Sequence, residues 1–272
     1  MIKLYYFLVT LLVYFLGASI GSFSMVVIRR GHSGKSWYTG RSVCESCGKE
    51  LHWWELIPSF SYIFLHGHCS KCKSRIDPSH FIGETGLGII FTVEFLNYML
   101  NSSCDIQRVI VELLSLSAIW INAMSDILYQ ETIYSFITYI ACIIVSVING
   151  CWISTVFMII LALIIFRKDD FKYIGAGDID MFILIYASLV TEKQDLLNRV
   201  ITSIKTHLPY HEACLYVIGW EWSRVLNVLL YTGVVALLFY IIEYKKFKNK
   251  HIPFIPFIFC GYVLTLLNIG PL

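Results

Sequence analysis

The sequence Gly175-Ala176-Gly177-Asp178 stands directly ahead of an apolar segment at residues 179–191. A second carboxylate, Asp126, closes another apolar segment at residues 107–125. Both segments have the composition of helices that cross a lipid bilayer. An ionisable side chain at the end of such a helix is costly to desolvate and therefore indicates a functional site. Two of them predict acid–base chemistry on a buried bond.

The composition predicts a membrane protein. Of the 272 residues, 57% are hydrophobic and only 15% are charged, and apolar stretches recur near the ~20 residues that a helix needs to cross a bilayer. The predicted fold is all-α and polytopic, with about eight transmembrane helices. The predicted spans are residues 4–28, 81–100, 107–125, 132–149, 151–166, 179–191, 225–243 and 255–270.

The charge distribution predicts the orientation. Arg29 and Arg30 follow the first apolar run, which is longer than the core of a signal peptide, so we interpret it as a retained span with its N-terminus outside. The loops on the other side then hold 15 of the 21 Lys and Arg residues. By the positive-inside rule that side is cytoplasmic. These loops are residues 29–80, 126–131, 167–178 and 244–254.

Three parts follow from this topology: a first transmembrane helix (1–28), a cytoplasmic loop domain (29–80) and a membrane core (81–272) with an outer polar segment at about 192–224. The formal net charge is +2, and the basic residues are spread over several loops. This pattern argues against nucleic acid as a partner and leaves the lipid bilayer as the expected one. The basic residues near 245–250 are interpreted as determinants of topology.

Four cysteines in the loop domain form two pairs, with 21 residues between the pairs: Cys44 and Cys47, then Cys69 and Cys72. This spacing is typical of four-cysteine zinc ribbons, and four thiolates suit a closed, tetrahedral, structural Zn²⁺ site. The metal is expected to fold a loop of about 50 residues that has little core of its own. Two redox-active pairs or unliganded thiols are the alternative, and His66 and His68 are interpreted as loop residues.

The chain resembles the type IV prepilin peptidases, which are bacterial inner-membrane aspartic proteases of the GxGD type. The loop from Cys44 to Cys72 resembles the zinc-binding domain of that family. Asp126, in Asp126-Ile127-Leu128-Tyr129, and Asp178, after Gly175 and Gly177, match its two catalytic motifs.

Two further positions carry the resemblance. Glu84 stands where the family has an acidic residue opening its second span, and Pro253 and Pro256 lie in a sequence similar to the family's proline–phenylalanine motif. The chain departs from the family at Met25, where Asn is common, and at Asp180, where Lys is usual. The segment 192–224 is also longer than usual, which predicts a divergent branch with an extra outer domain.

The resemblance implies a substrate, a type IV prepilin or pseudopilin of a pilus or type II secretion system, with a short basic leader that is cut at the cytoplasmic face. It also implies N-methylation of the new N-terminus with S-adenosylmethionine as donor. For Glu84 two roles stay open, a contact with the basic leader or an exposed acid in a first helical turn.

Hydrolysis by two carboxylates requires one to be ionised and one protonated, and we expect Asp126 and Asp178 to titrate as a coupled pair. Gly175 and Gly177 allow an extended substrate backbone to approach closely. The alternative role for Asp178 is to cap a helix. Asp180 is expected to line a pathway or to be solvated.

Two other functions are compatible with these residues. One is a membrane aspartic peptidase without methyltransferase activity. The other is a transporter or assembly scaffold that is not an enzyme, in which the aspartates bind protons or cations and the zinc loop binds a partner.

Overall fold

The computed structural model describes residues 2–100, 106–131, 135–166, 176–190, 223–247 and 253–267. These ranges contain nine α-helices, one 3-10 helix and two isolated β-bridges, and they contain no β-strand. The prediction of a helical fold is therefore confirmed. The chain divides into two compact units, Met1–Cys104 and Asp105–Leu272.

The first unit is built on two long helices that pack against each other, α1 (Ile2–His32) and α3 (Pro78–Leu100). Between them lie a 3-10 helix (Trp53–Leu56) and the short α2 (Phe60–Phe64). A Cβ on Gly21 would collide with the carbonyl oxygen of Gly83, so the two backbones approach as closely as small residues permit.

The described residues of the second unit form six helices: α4 (Ile106–Tyr129), α5 (Ser135–Asn149), α6 (Trp152–Phe166), α7 (Ala176–Leu189), α8 (Ser223–Phe247) and α9 (Ile255–Leu267). Helix α7 packs against each of the other five, and α4 also packs against α5 and α9. Buried residues are concentrated in α7 and α9. The core of this unit therefore surrounds the helix that begins near Asp178.

The predicted spans all overlap helices, with shifted boundaries. Among the described residues, two helical stretches, Lys3–His32 and Ile106–Tyr129, are long and apolar enough to cross a membrane, and three shorter apolar stretches occur at Ile137–Asn149, Asn227–Phe239 and Ile255–Leu267. Eight crossings remain a prediction. The outer polar segment falls outside the described residues except for its last two positions.

Candidate active site and metal centre

Four cysteine sulfurs meet in the first unit. The Sγ atoms of Cys44, Cys47, Cys69 and Cys72 all lie within 4.8 Å of one another, and those of Cys44 and Cys72 are 3.9 Å apart. A tetrahedral site with Zn–S bonds near 2.3 Å holds its sulfurs about 3.8 Å apart. Hydrogen bonds from the Ser74 hydroxyl and N–H lower the pKa of Cys72 to about 6, which favours the thiolate there. At Cys47 the Lys49 backbone hydrogen bond is outweighed by burial and the neighbouring thiols, which raise the pKa to about 11. The four cysteines can therefore hold a metal ion.

The two cysteine pairs are structural copies of each other, offset by 25 residues. The Cys44 N–H donates to the Lys49 carbonyl and the Cys69 N–H donates to the Ser74 carbonyl, each at 2.9 Å. The β-bridges follow the same offset, since Val43 pairs with Glu50 and His68 with Arg75. Each pair of ligands therefore lies on a tight turn of its own, closed by the same hydrogen bonds.

Corresponding turn positions share an unusual backbone conformation. Gly48 has a φ of 67° and Lys73 a φ of 57°, and both residues follow the first cysteine of their pair by four positions. The left-handed conformation is unfavourable for an L-residue that has a Cβ, and glycine avoids this energetic cost. The first turn has glycine, Gly48, at this position, whereas the second turn has Lys73, whose Cβ makes the same conformation unfavourable.

A buried ion pair joins distant parts of the loop domain. Lys49 Nζ lies 2.9 Å from both carboxylate oxygens of Glu55, and the Ser70 hydroxyl donates to Oε1 of Glu55 at 2.5 Å. The Glu55 side chain is only 2% exposed. Burial alone would raise the pKa of Glu55, but hydrogen bonds from Ser70, from the His52 N–H and from Lys49, together with the lysine charge, lower it to about 2. The ionised carboxylate thus fastens the 3-10 helix to both cysteine turns.

Glu84 is engaged inside the first unit. Its Oε1 accepts the Ser22 hydroxyl at 2.7 Å and its Oε2 accepts the Ser59 N–H at 2.6 Å. Because α3 begins at Pro78, Glu84 lies in the second helical turn and is not an exposed first-turn acid. The carboxylate links α1, α3 and the start of α2.

A cavity of about 580 Å³ lies between the end of α1 and the loop domain, within the first unit. Its lining includes Arg29, Arg30, Glu45, Tyr62 and His80. Arg29 donates to Glu45 Oε1 at 3.2 Å and also pairs with Asp77. The volume lies within the range of small-molecule sites, and the lining offers charges of both signs.

In the second unit, Asp126 lies in the last turn of α4 and faces the start of α9. Helix α4 ends where Gln130 takes a φ of 56° and donates its N–H to the Asp126 carbonyl. Asp126 Oδ2 accepts the Ile255 N–H at 3.1 Å, one of the donors that a helix N-terminus leaves without an intrahelical partner. The neighbouring Pro256 has no N–H and fits this first turn without losing a hydrogen bond. The proline motif therefore brings the positive end of the α9 dipole to the Asp126 carboxylate.

Asp178 lies in the first turn of α7, which begins at Ala176. Gly177 is buried beside it, and Gly175 lies outside the described residues. Carboxylates are favoured in a first helical turn, so position alone is also compatible with the capping role that the sequence left open.

Side-chain hydrogen bonds show that the two aspartates lie at the same end of the second unit. At this end Asn122 Nδ2 donates to Thr138 Oγ1 at 3.0 Å, and the Tyr139 hydroxyl donates to Asp180 Oδ1 at 2.8 Å. At the other end, Gln107 Nε2 donates to the Ile148 carbonyl, and Asn149 Nδ2 donates to the Ala187 carbonyl. Helix α4 is therefore antiparallel to α5, and α5 is parallel to α7. The C-terminal turn of α4 and the N-terminal turn of α7, two helices that pack together, consequently share one end.

Asp180 is buried, with 3% of its surface exposed, and it holds α7 to α5 through Tyr139. Of the two expectations for Asp180, lining a pathway or being solvated, the second was wrong because the bundle covers this face of α7. The position that departs from the family motif is thus part of the packing next to Asp178.

Sequence reasoning missed the roles of Glu55, Ser59 and Tyr139. His52 and Glu55 form a capping box on the 3-10 helix, and their three-residue spacing could have indicated the role of Glu55. The other two had no local signal, because Ser59 and Tyr139 meet their partners 25 and 41 positions away.

A known family model matches the first unit. Residues 15–98 match the Bacterial Peptidase A24 N-terminal domain. This range contains the four cysteines and Glu84, and it ends before Asp126. The resemblance to type IV prepilin peptidases is therefore confirmed for this part of the chain.

Proteins named prepilin leader peptidase/N-methyltransferase are similar to parts of the chain. Identity is 38% over 79 residues for the Vibrio cholerae protein, 37% over 57 residues for that of Pseudomonas putida and 37% over 76 residues for that of Myxococcus xanthus. These stretches cover 26%, 21% and 28% of this chain and 31%, 20% and 23% of the relatives. The chain thus matches less than a third of the length of each. No solved structure gives a significant match.

Proposed function

We propose that the protein is a membrane aspartic peptidase that removes the basic leader from type IV prepilins or pseudopilins, with Asp126 and Asp178 as its catalytic pair. The observation that carries this proposal is that the two carboxylates lie at the same end of packed helices. The similarity of parts of the chain to prepilin leader peptidase/N-methyltransferases supports the choice of substrate.

The two carboxylates divide the chemistry. One accepts a proton from the attacking water, while the other, protonated, polarises the scissile carbonyl and then protonates the leaving amine. Like charges held close do not ionise together easily, so the pair titrates as a unit. The Ile255 N–H orients Asp126 through Oδ2, and we assign proton transfer at Asp126 to Oδ1. Gly177 has no Cβ that would block a close approach of substrate backbone to Asp178.

We further propose that the four-cysteine site holds structural Zn²⁺. Four thiolates at these separations leave no open coordination position, so the metal takes no part in cleavage. Its role is to fix two turns of a loop domain on the cytoplasmic side of the bacterial inner membrane, an orientation that the basic residues favour.

N-methylation is the second activity that the names of the relatives suggest. S-adenosylmethionine would supply the methyl group for the new amine. The cavity in the first unit is large enough for such a donor.

Co-expression with candidate prepilins from the same genome tests the proposal. Mass spectrometry of the pilin N-terminus reports the cleavage site and methylation together. We expect the wild type to cleave the prepilin at its basic leader, and we expect Asp126→Asn and Asp178→Asn to lose this cleavage. Processing that persists in both variants would favour the scaffold, and cleavage without a mass increase of one methyl group would indicate a peptidase alone.

A further inference from the structure

An uncharged segment interrupts the polar loop domain. The ten residues from Leu56 to Leu65 contain no charged side chain, whereas Glu55 precedes them and His66 follows. An apolar stretch of roughly 10–14 residues is too short to cross a bilayer and is typical of a buried core helix or of a segment that enters the membrane partway. Many of its side chains are exposed, which excludes the buried core helix.

Contact with α1 shows how deep this segment lies. The ring of Phe60 stacks on that of Phe15, with centroids 5.6 Å apart. Phe15 lies 12 residues from Lys3 and 14 from Arg29, which at 1.5 Å per residue is about 18 Å and about 21 Å along the helix. The hydrocarbon core of a bilayer is about 30 Å thick. If α1 crosses the membrane with either basic residue at a surface, Phe15 and the Phe60 ring beside it lie within the hydrocarbon.

The exposed side chains of α2 continue the apolar surface of α1. Phe60, Ile63 and Phe64 have the spacing of one helix face, and Ile63 is 57% exposed and Phe64 74% exposed. Beside Phe15, Leu12 is 68% exposed and Leu16 is 52% exposed. The face of α2 is therefore continuous with the surface that α1 presents to lipid when it spans the bilayer.

Several backbone N–H groups of this segment have partners within the protein. Backbone N–H groups in lipid need partners within the protein, because no water is available to bond them. The Ser59 N–H is bound by Glu84, the Ser61 N–H by the Ile57 carbonyl and the Leu65 N–H by the Ser61 carbonyl. Pro58 has no N–H to satisfy.

Two tryptophans precede the segment on the side toward the cysteine turns. Trp53 is 79% exposed and Trp54 is 40% exposed. Tryptophan is enriched at the membrane–water interface, where its ring meets apolar chains and its N–H meets water. The order of two tryptophans followed by an uncharged run fits a chain that enters the membrane from its surface.

We propose that residues 56–65 dip into the bilayer beside α1, with Phe60, Ile63 and Phe64 in contact with lipid acyl chains. The loop domain is then seated in the membrane and not held away from it in water. This inference rests on α1 crossing the membrane, and it does not depend on the cleavage reaction.

A fluorescent amino acid incorporated at position 64 by amber suppression tests this in proteoliposomes of the full-length protein. The matched control carries it at Tyr38, an aromatic residue of the same unit that is 75% exposed. Brominated acyl chains and aqueous iodide serve as the two quenchers. We expect the lipid quencher to dominate at position 64 and iodide to dominate at position 38.

Two outcomes would overturn the inference. Stronger quenching by iodide at position 64 would place the segment in water, and protection from both quenchers would mean that protein covers it, such as a second copy of the chain. Melting and metal content equal to those of the unlabelled protein establish that each labelled protein is folded. Prepilin cleavage, assayed on the same samples, tests the proposed function separately, since lipid quenching requires no catalysis.

Discussion

The carboxylate of Asp126 accepts the backbone N–H of Ile255 at 3.1 Å, although the two residues lie 129 positions apart in the chain. The bond ties the last turn of α4 to the first turn of α9. The same end of the unit carries Asp178 on α7. The structure of this end therefore depends on three helices that are distant in sequence. A substitution that keeps this structure but removes an ionisable carboxyl group tests the role of that group in proton transfer.

Asp126→Asn and Asp178→Asn should each abolish prepilin cleavage, by at least about 100-fold, because each carboxylate has its own proton-transfer task. In the first variant the new amide oxygen can still accept the Ile255 N–H, so the fold should be retained. Gel mobility of a co-expressed prepilin measures cleavage, and thermal melting in detergent measures the fold.

The matched control for these variants is Asp180→Asn. Its amide oxygen can accept the Tyr139 hydroxyl as the carboxylate does, so cleavage should fall much less. Full activity in Asp126→Asn together with an inactive Asp180→Asn would show that the aspartates are paired wrongly here.

Removal of one metal ligand should lower metal content and stability together. The purified protein should contain about one zinc per chain, and Cys44→Ser or Cys72→Ser should lower both zinc and the melting temperature, because the energy of a structural metal site is largely folding energy. Elemental analysis and melting curves measure the two. Cys260→Ser, an exposed helix position, is the control that should change neither. Unchanged melting after complete metal removal would reject the site.

Lys73→Gly should stabilise the loop domain slightly. A side chain in the left-handed region costs about 1–2 kcal/mol, which exceeds the roughly 0.5–1 kcal/mol that glycine adds to the entropy of the unfolded chain. The melting temperature should rise, while Lys71→Gly, which removes the same charge at a residue without a positive φ, should lower it. A fall in both variants would mean that the charge near the thiolates outweighs backbone strain.

Glu55→Gln should destabilise the protein at neutral pH by about 2–3 kcal/mol, because Lys49 would lose its charged partner in a buried site. The pKa of Glu55 is about 2 in the folded protein, below its ordinary value of 4.5. Its contribution is therefore complete above about pH 4.5 and is lost as the pH falls toward 2. The melting temperatures of wild type and variant should converge over this range. A constant difference down to the lowest pH would contradict the assignment.

The sequence predicted features that depend on local pattern. The helices follow from apolar run length, the cluster of four cysteines from the spacing of Cys44, Cys47, Cys69 and Cys72, and the shared end of the two aspartates from the predicted topology. The partners of Glu84 and Asp180 could not be predicted, because each is bound by a residue on another element. The spacing of the cysteines shows the 25-residue offset, but the shared hydrogen bonds of the two turns were not predicted, since most side chains there do not repeat.

The two cysteine turns lie side by side at the two ends of the loop that contains the uncharged segment. Residues 48–68 leave the first turn and return to the second, where the four sulfurs lie close together, and contacts among Lys49, Glu55 and Ser70 join the two ends nearby. The entropy of closing such a loop depends only weakly on its length. Chelation of the proposed metal would remove one of the two connections that close this loop, while the hydrogen bonds among Lys49, Glu55 and Ser70 and the bond from Ser59 to Glu84 would remain.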